Sequence, residues 1–325
     1  KWAKSAKGLA HLLKKKNRQV SDDLIQITAA RLLFQQGYLD AAIKYYGKVS
    51  KKSDYWFVAQ EEMAWSYMRK GEAQNTLAVT KTLATPEFSA YVGPEVVFLQ
   101  ALSYLKVCDY PQVAATIQDF KKRYKERAKY LMEVEKVGAN ADTNQLIQQL
   151  KSKRIKLISL GEAANRLPRY VSLDEVLYGL VQAQTSLEKE AAIAGDLYAR
   201  SLSGGTAKVG FDASIEELKK TIVRRAMSAK KASFNLVQRR AREELKEIEN
   251  VLQKMHIVEA ELIQQISVAE RVIKASSKSK TVSEKKGSSI KANKYDLKFP
   301  FVGETWFDEL SHYQVDIKKG CQARK

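Results

Sequence analysis

The side chains able to do chemistry are few and scattered along this 325-residue chain. His11, His256 and His312 fall in three different segments, and none has a second His, a Cys or a carboxylate at the spacing that would complete a metal's ligand set. Asp308 and Glu309 are adjacent, so on a strand they face opposite ways and cannot work as an acid/base pair. Gly204, Gly205 and Gly210 surround Lys208 without the Gly-Lys-Ser/Thr order that cradles a phosphate, and they read as a hinge. No Ser or Cys sits in a nucleophile-elbow context. The two cysteines, Cys108 and Cys321, are too few for a disulfide scaffold and fit any compartment. The expectation is a protein with no catalytic residue, no metal and no cofactor, whose chemistry is recognition.

Charge is the first recognition signal. Lys and Arg number 56 against 37 Asp and Glu, a formal +19, which attracts nucleic acid, anionic headgroups or acidic protein surfaces. Basic clusters occur at Lys121, Lys122, Arg123, Lys125, Arg127 and Lys129, and again at Lys151, Lys153, Arg154 and Lys156. Neither carries interleaved aromatics, an RNP-like run, zinc spacing or a helix-turn-helix pattern. Nucleic-acid or anionic-surface binding through charge is therefore the alternative reading, and a solvated basic face explains the same residues.

The elements that position everything else begin at about Ser21. Gly37-Tyr38-Leu39-Asp40-Ala41-Ala42-Ile43-Lys44-Tyr45-Tyr46 is followed by a second turn glycine, Gly71, 34 positions after Gly37. On that register small residues fall at Ala30, Ala64 and Ala101 and large ones three positions later, at Leu33, Tyr67 and Tyr104. Helices approach closely only where one presents a methyl group and its neighbour fills the gap. The third turn carries Cys108 where Gly would be usual. This stretch resembles the tetratricopeptide-repeat proteins, and the Tyr-Leu-Asp-Ala-Ala-Ile-Lys-Tyr-Tyr run is most similar to periplasmic scaffolds of Gram-negative envelopes. The resemblance covers about a third of the chain. It implies an all-helical solenoid of paired helices, a periplasmic or outer-membrane-associated location, and protein binding in place of catalysis.

That arrangement lines a concave face with first helices, which on this register present Ile27, Arg31, Phe34 and Gln35, then Glu61, Trp65, Met68 and Arg69, then Phe98, Leu102, Leu105 and Lys106. An apolar strip with basic edges suits an amphipathic helix or an extended peptide with acidic flanks. The same strip would also suit packing against the chain's own helix.

The domain reading is 1–135 for the repeats with a basic amphipathic capping helix over 2–16, 136–275 for a helical extension, 276–294 for a Ser- and Lys-rich linker, and 295–325 for a small β-hairpin-like element. Helical periods run over 144–161 and 172–202, with capping boxes at Ser172-Leu173-Asp174-Glu175 and Ser214-Ile215-Glu216-Glu217. Thr85-Pro86-Glu87 and Gly93-Pro94-Glu95 read as helix starts. From Ser214 to about Ala275 there is no Gly or Pro, and Phe234, Ala241, Ile248, Met255, Leu262 and Ala269 form a heptad line beside Val237, Val251, Val258 and Val272. Such a seam needs a long partner, of which the 172–202 helix can cover only about half. In the tail, Trp306, Phe307 and Leu310 are the expected docking residues of a short element that resembles tails of repeat-containing envelope proteins in predatory and gliding bacteria. No apolar run reaches the ~18 residues that a membrane span needs. The chain begins at Lys1 without Met, which reads as an N-terminal segment processed or trimmed and leaves room for a signal peptide or lipid anchor ahead of it.

Overall fold

The computed structural model describes residues 7, 8, 11, 21–203 and 211–276, and every regular element among them is helical. In chain order these are α1 (Asp22–Gln35), α2 (Leu39–Tyr46), α3 (Trp56–Lys70), α4 (Ala73–Leu83), α5 (Pro94–Lys106), α6 (Tyr110–Val137), α7 (Ala141–Ser152), α8 (Glu175–Ser203) and α9 (Phe211–Ser276), with 3-10 turns at Pro86–Phe88, Leu157–Asn165 and Val171–Leu173.

The first six helices form three consecutive pairs, each closed by one backbone device. Gly37 and Gly71, both at φ +82°, and Cys108, at φ +57°, sit in the left-handed region at the end of α1, α3 and α5. The next amide reaches back to the same place each time: Tyr38 to the Leu33 carbonyl at 3.0 Å, Glu72 to Tyr67 at 3.0 Å and Asp109 to Tyr104 at 2.9 Å. This terminus satisfies carbonyls that the helix leaves open, and it turns the chain sharply enough to lay the following helix alongside. Ala30, Ala64 and Ala101 are fully buried where the helices cross. α1 and α2 pack with α3, α4 bridges α3 and α5, and α5 packs on α6.

α9, 66 residues in one element and therefore roughly 100 Å long, organises the remainder. Its first part runs against α8, and its later part runs against α6 and α5. Of the heptad line, Val237, Ala241, Ile248, Val251, Met255, Val258 and Leu262 are buried, in one cluster with Phe98, Leu105, Val113, Ile117, Phe120 and Leu131 of α5 and α6, and Phe234 packs against it partly buried, while the side chains of Ala269 and Val272 lie outside the described ones. A second cluster joins α1 to α5 through Ile27, Tyr46, Trp56, Phe57, Met63 and Leu99. The half of the seam that α8 cannot reach is thus covered by the paired helices, with packing continuous across the expected boundary after residue 135.

Several local expectations are corrected. The helical period over 144–161 stops at Ser152, and the chain continues as a 3-10 turn over Leu157–Asn165. α8 starts at Glu175, because Asp174 and not Ser172 caps it, its carboxylate accepting the amides of Val176 (2.9 Å) and Leu177 (3.2 Å). Ser172 is instead buried within the preceding turn. Thr85-Pro86-Glu87 opens only the three-residue 3-10 turn, whereas Pro94 does open α5. α9 starts at Phe211, ahead of the Ser214 box. Most of the 2–16 segment, the 277–294 linker and the 295–325 element with Trp306, Phe307 and Leu310 lie outside the described residues.

Candidate interaction site

α9 passes along α5 and α6, and an ion network joins it to the paired helices. Arg169, in the loop before α8, is 12% exposed at its side chain. It donates through Nη1 to Glu61 of α3 at 3.0 and 3.2 Å and through Nη2 to Glu247 of α9 at 2.8 and 2.9 Å. Its own amide donates to Glu244 at 2.7 Å. Arg127 of α6 donates to the other Glu244 oxygen at 2.5 Å and, with its remaining N–H groups, to the carbonyls of Ala164, Asn165 and Leu167. Glu61 also accepts the Gly93 amide at 2.7 Å, at the start of α5. A Cβ at Gly93 would lie 2.0 Å from Arg169 Nη1, so only glycine lets the guanidinium pass across that helix end.

Burial sets the electrostatics. It raises the Glu61 carboxyl above its ordinary value, opposed by Arg169 and the Gly93 amide. It raises Glu247 as well, with Glu244 adding to the effect against the pull of Arg169. For Arg169 burial works against the charge, but Glu61, Tyr170, Glu247 and Glu244 together hold it well above the ordinary guanidinium value. These groups pair with one another and clamp three elements; none is placed as a free acid or base.

The expected groove residues separate into groups. Phe98 and Leu105 are buried in the cluster that contains Ile248, Val251 and Met255 of α9, with Trp65 and Leu102 packed against it. Trp65 donates to Glu95 at 3.0 Å, Lys254 of α9 donates to the same carboxylate at 3.0 Å, and the Lys254 ammonium lies 5.9 Å from the Trp65 ring centre and 5.6 Å from that of Phe98. Met68 is buried in the other cluster. Arg69 donates to the Phe34 carbonyl at 3.2 Å and stacks over its ring at 5.2 Å, while Gln35 and Lys106 are exposed. Glu61 belongs to the ion network. Ile27 and Arg31 line an open space.

That space is a cleft of about 510 Å³ between α1, α3, the start of α8 and α9. Leu24, Ile27, Tyr55, Val58 and Val176 supply its apolar lining, and Arg31, Arg240, Asp174, Glu175 and Glu243 are among its polar lining. Arg31 is held by a bidentate pair with Glu62, and Arg240 is tied to Asp174 and Glu243, both at 2.7 Å. The sequence reading missed Tyr55, Val58, Val176 and Arg240 as cleft residues. It also missed the ion network, whose single sequence signal is Glu244 standing on the apolar seam between Ala241 and Ile248.

Among the described residues no group of His, Cys, Asp and Glu could hold a metal ion, and no helix is long and apolar enough to cross a membrane. No family model, no curated protein and no solved structure matches this chain.

Proposed function

We propose that this chain is a tetratricopeptide-type, non-catalytic scaffold of the bacterial envelope that receives a segment of a protein partner in the cleft between α1, α3, α8 and α9. The observation that carries the reading is that α9 packs on α5 and α6, whereas an apolar-lined space of about 510 Å³ with fixed charges around it remains between α1, α3, the start of α8 and α9. That volume and lining suit one or two apolar side chains of a peptide, with orientation set by polar groups at the edge. The lining carries Asp174, Glu175, Glu243, Glu244 and Glu247 against Arg31, Arg169 and Arg240. This balance favours a partner with basic residues beside its apolar anchor, in place of the acidic flanks expected from the sequence.

The test is selection of a random peptide library on the full chain, followed by affinity measurement on Val176→Arg and Val58→Arg. Val176 is 57% exposed, so its replacement fills the cleft without touching the core. Selected peptides should carry an apolar residue next to Lys or Arg and lose at least tenfold in affinity on Val176→Arg. Peptides that bind the variants as well as the parent would refute the site.

One observation favours the second reading. Lys219, Lys220 and Arg224, with Glu216 paired to Lys220 at 2.7 Å, line a space of about 420 Å³ beside Tyr198, Val223 and Met227 of the α8–α9 pair. Binding of an anionic surface there would be tight at low salt and would fall steeply as salt rises. Micromolar binding to duplex DNA at physiological salt would put this reading ahead of the scaffold.

A further inference from the structure

The basic run of α6 contains a guanidinium that the fold does not use up. Lys121 pairs with Glu259, Arg127 with Glu244 and Lys129 with Glu126. Arg123 differs from these. Its Nη2 lies 3.1 Å from Asp119, a partner more than half exposed, but its Nη1 is buried with no hydrogen-bond partner. Among the described residues the other buried side-chain atoms in that condition are amide oxygens and hydroxyls, so Arg123 is the charged one. A guanidinium N–H without an acceptor costs more than a neutral group in the same state, which favours any rotamer of Arg123 that brings Nη1 to an acceptor. Arg123 lines a cavity of about 400 Å³ between α6, the end of α4 at Ala84, Ser89 after the first 3-10 turn and Asn165 at the end of the second. α6 also lends it Tyr124, Glu126, Arg127 and Tyr130. Arg127 is held by Glu244 and three backbone carbonyls, and Glu126 by Lys129 at 2.8 Å. Of the lining cations, Arg123 is the one with donors to spare.

We propose that this cavity binds a small aromatic carboxylate, its carboxylate paired with Arg123 and its ring laid against Tyr130. The charge balance selects the anion. A carboxylate accepts guanidinium N–H groups while bringing a single negative charge. A phosphate monoester brings nearly two at neutral pH, and here it would face Glu126 and the carbonyl end of α4, with one uncommitted guanidinium to offset them. The body of the ligand follows from the rest of the lining. Tyr130 is 42% exposed, so a face of its ring is open to stacking, and Tyr124 adds a second ring. Ser89 and Asn165 add neutral polar groups. The volume accommodates one small molecule. None of these residues lines the cleft between α1, α3, α8 and α9, so the two sites stand or fall separately.

Fluorine NMR of 4-fluorobenzoate with the full chain tests the site, with 4-fluorobenzamide as the uncharged isostere and inorganic phosphate as competitor. The benzoate should bind with a dissociation constant of about 1 mM or tighter, and the benzamide about tenfold more weakly or worse. Arg123→Gln should weaken the benzoate by about tenfold or more, and Tyr130→Ala by about threefold or more. Lys125→Gln removes the same charge from an exposed residue outside the cavity, and it should leave affinity within about twofold of the parent. Melting of each variant without probe reports whether it folds. If Arg123→Gln does not, Tyr130→Ala carries the comparison, and unchanged affinity there overturns the site. No binding to the parent at about 10 mM probe, equal binding of the benzamide, or equal losses for Lys125→Gln and Arg123→Gln would likewise overturn it. Inorganic phosphate that binds this cavity more tightly than the benzoate would overturn the choice of a carboxylate.

Discussion

Arg169 is the side chain on which most of the site's geometry converges, and it makes residue-scale predictions with opposite signs. Its replacement by Met leaves Glu61 and Glu247 partly buried without their shared cation, so Arg169→Met should lose about 3 kcal/mol or more in denaturant unfolding. Glu247 behaves differently, because three carboxylates face two guanidiniums and burial raises its value. A carboxyl with a raised folded-state value binds its proton more readily in the native than in the unfolded chain. Its charge therefore opposes folding at neutral pH, and the penalty is relieved as pH falls through the folded value. Glu247→Gln should be as stable as the parent or more so near pH 7, with the difference shrinking as pH falls through the raised folded-state value and gone once pH is below the ordinary carboxyl value. A loss that deepens with rising pH would contradict this assignment. Trp65 packs 6.2 Å from Phe98 between ring centres, beside Lys254 and Glu95. Trp65→Ala should then lower stability by about 3 kcal/mol while leaving affinity for a cleft-binding peptide unchanged. Affinity lost without loss of stability would return Trp65 to an open groove.

At the scale of elements, the seam of α9 separates buried from exposed positions sharply enough to test by substitution. Met255 is 0% and Ile248 7% exposed, while Ile257 is 71% exposed. An aspartate at 248 or 255 enters an apolar contact unpaired and should cost on the order of 3 kcal/mol, whereas Ile257→Asp should stay within about 0.5 kcal/mol. Equal melting temperatures for all three would mean that α9 does not pack on α5 and α6 in solution. This seam was legible in the sequence because a heptad repeat is a local pattern that any long partner helix satisfies. The turn register was legible for a similar reason, since each helix end imposes a left-handed residue at a fixed place. Chain-distant effects were not. Asp174 takes the cap of α8 from Ser172 in a loop that also carries Arg169, and Arg169 meets partners 108 and 78 positions away with no local signature. The groove residues were placed on the correct helices, but their periodicity carries no information on whether a partner molecule or α9 covers them.

For the whole molecule, the account rests on α9 packing along α5 and α6 in the free protein, beside the cleft between α1, α3, α8 and α9 that is offered to a partner. Native-state hydrogen exchange on the full chain tests this most directly, because it reports the opening free energy segment by segment. Amides of 236–262 should exchange as slowly as those of α5, through one shared opening, and addition of a library-selected peptide should slow exchange around the cleft in α1, α3 and the start of α8 while leaving 248–262 unchanged. Exchange of 248–262 that is orders of magnitude faster than that of α5 in the free protein, and that slows when the peptide is added, would show an open groove and contradict the account.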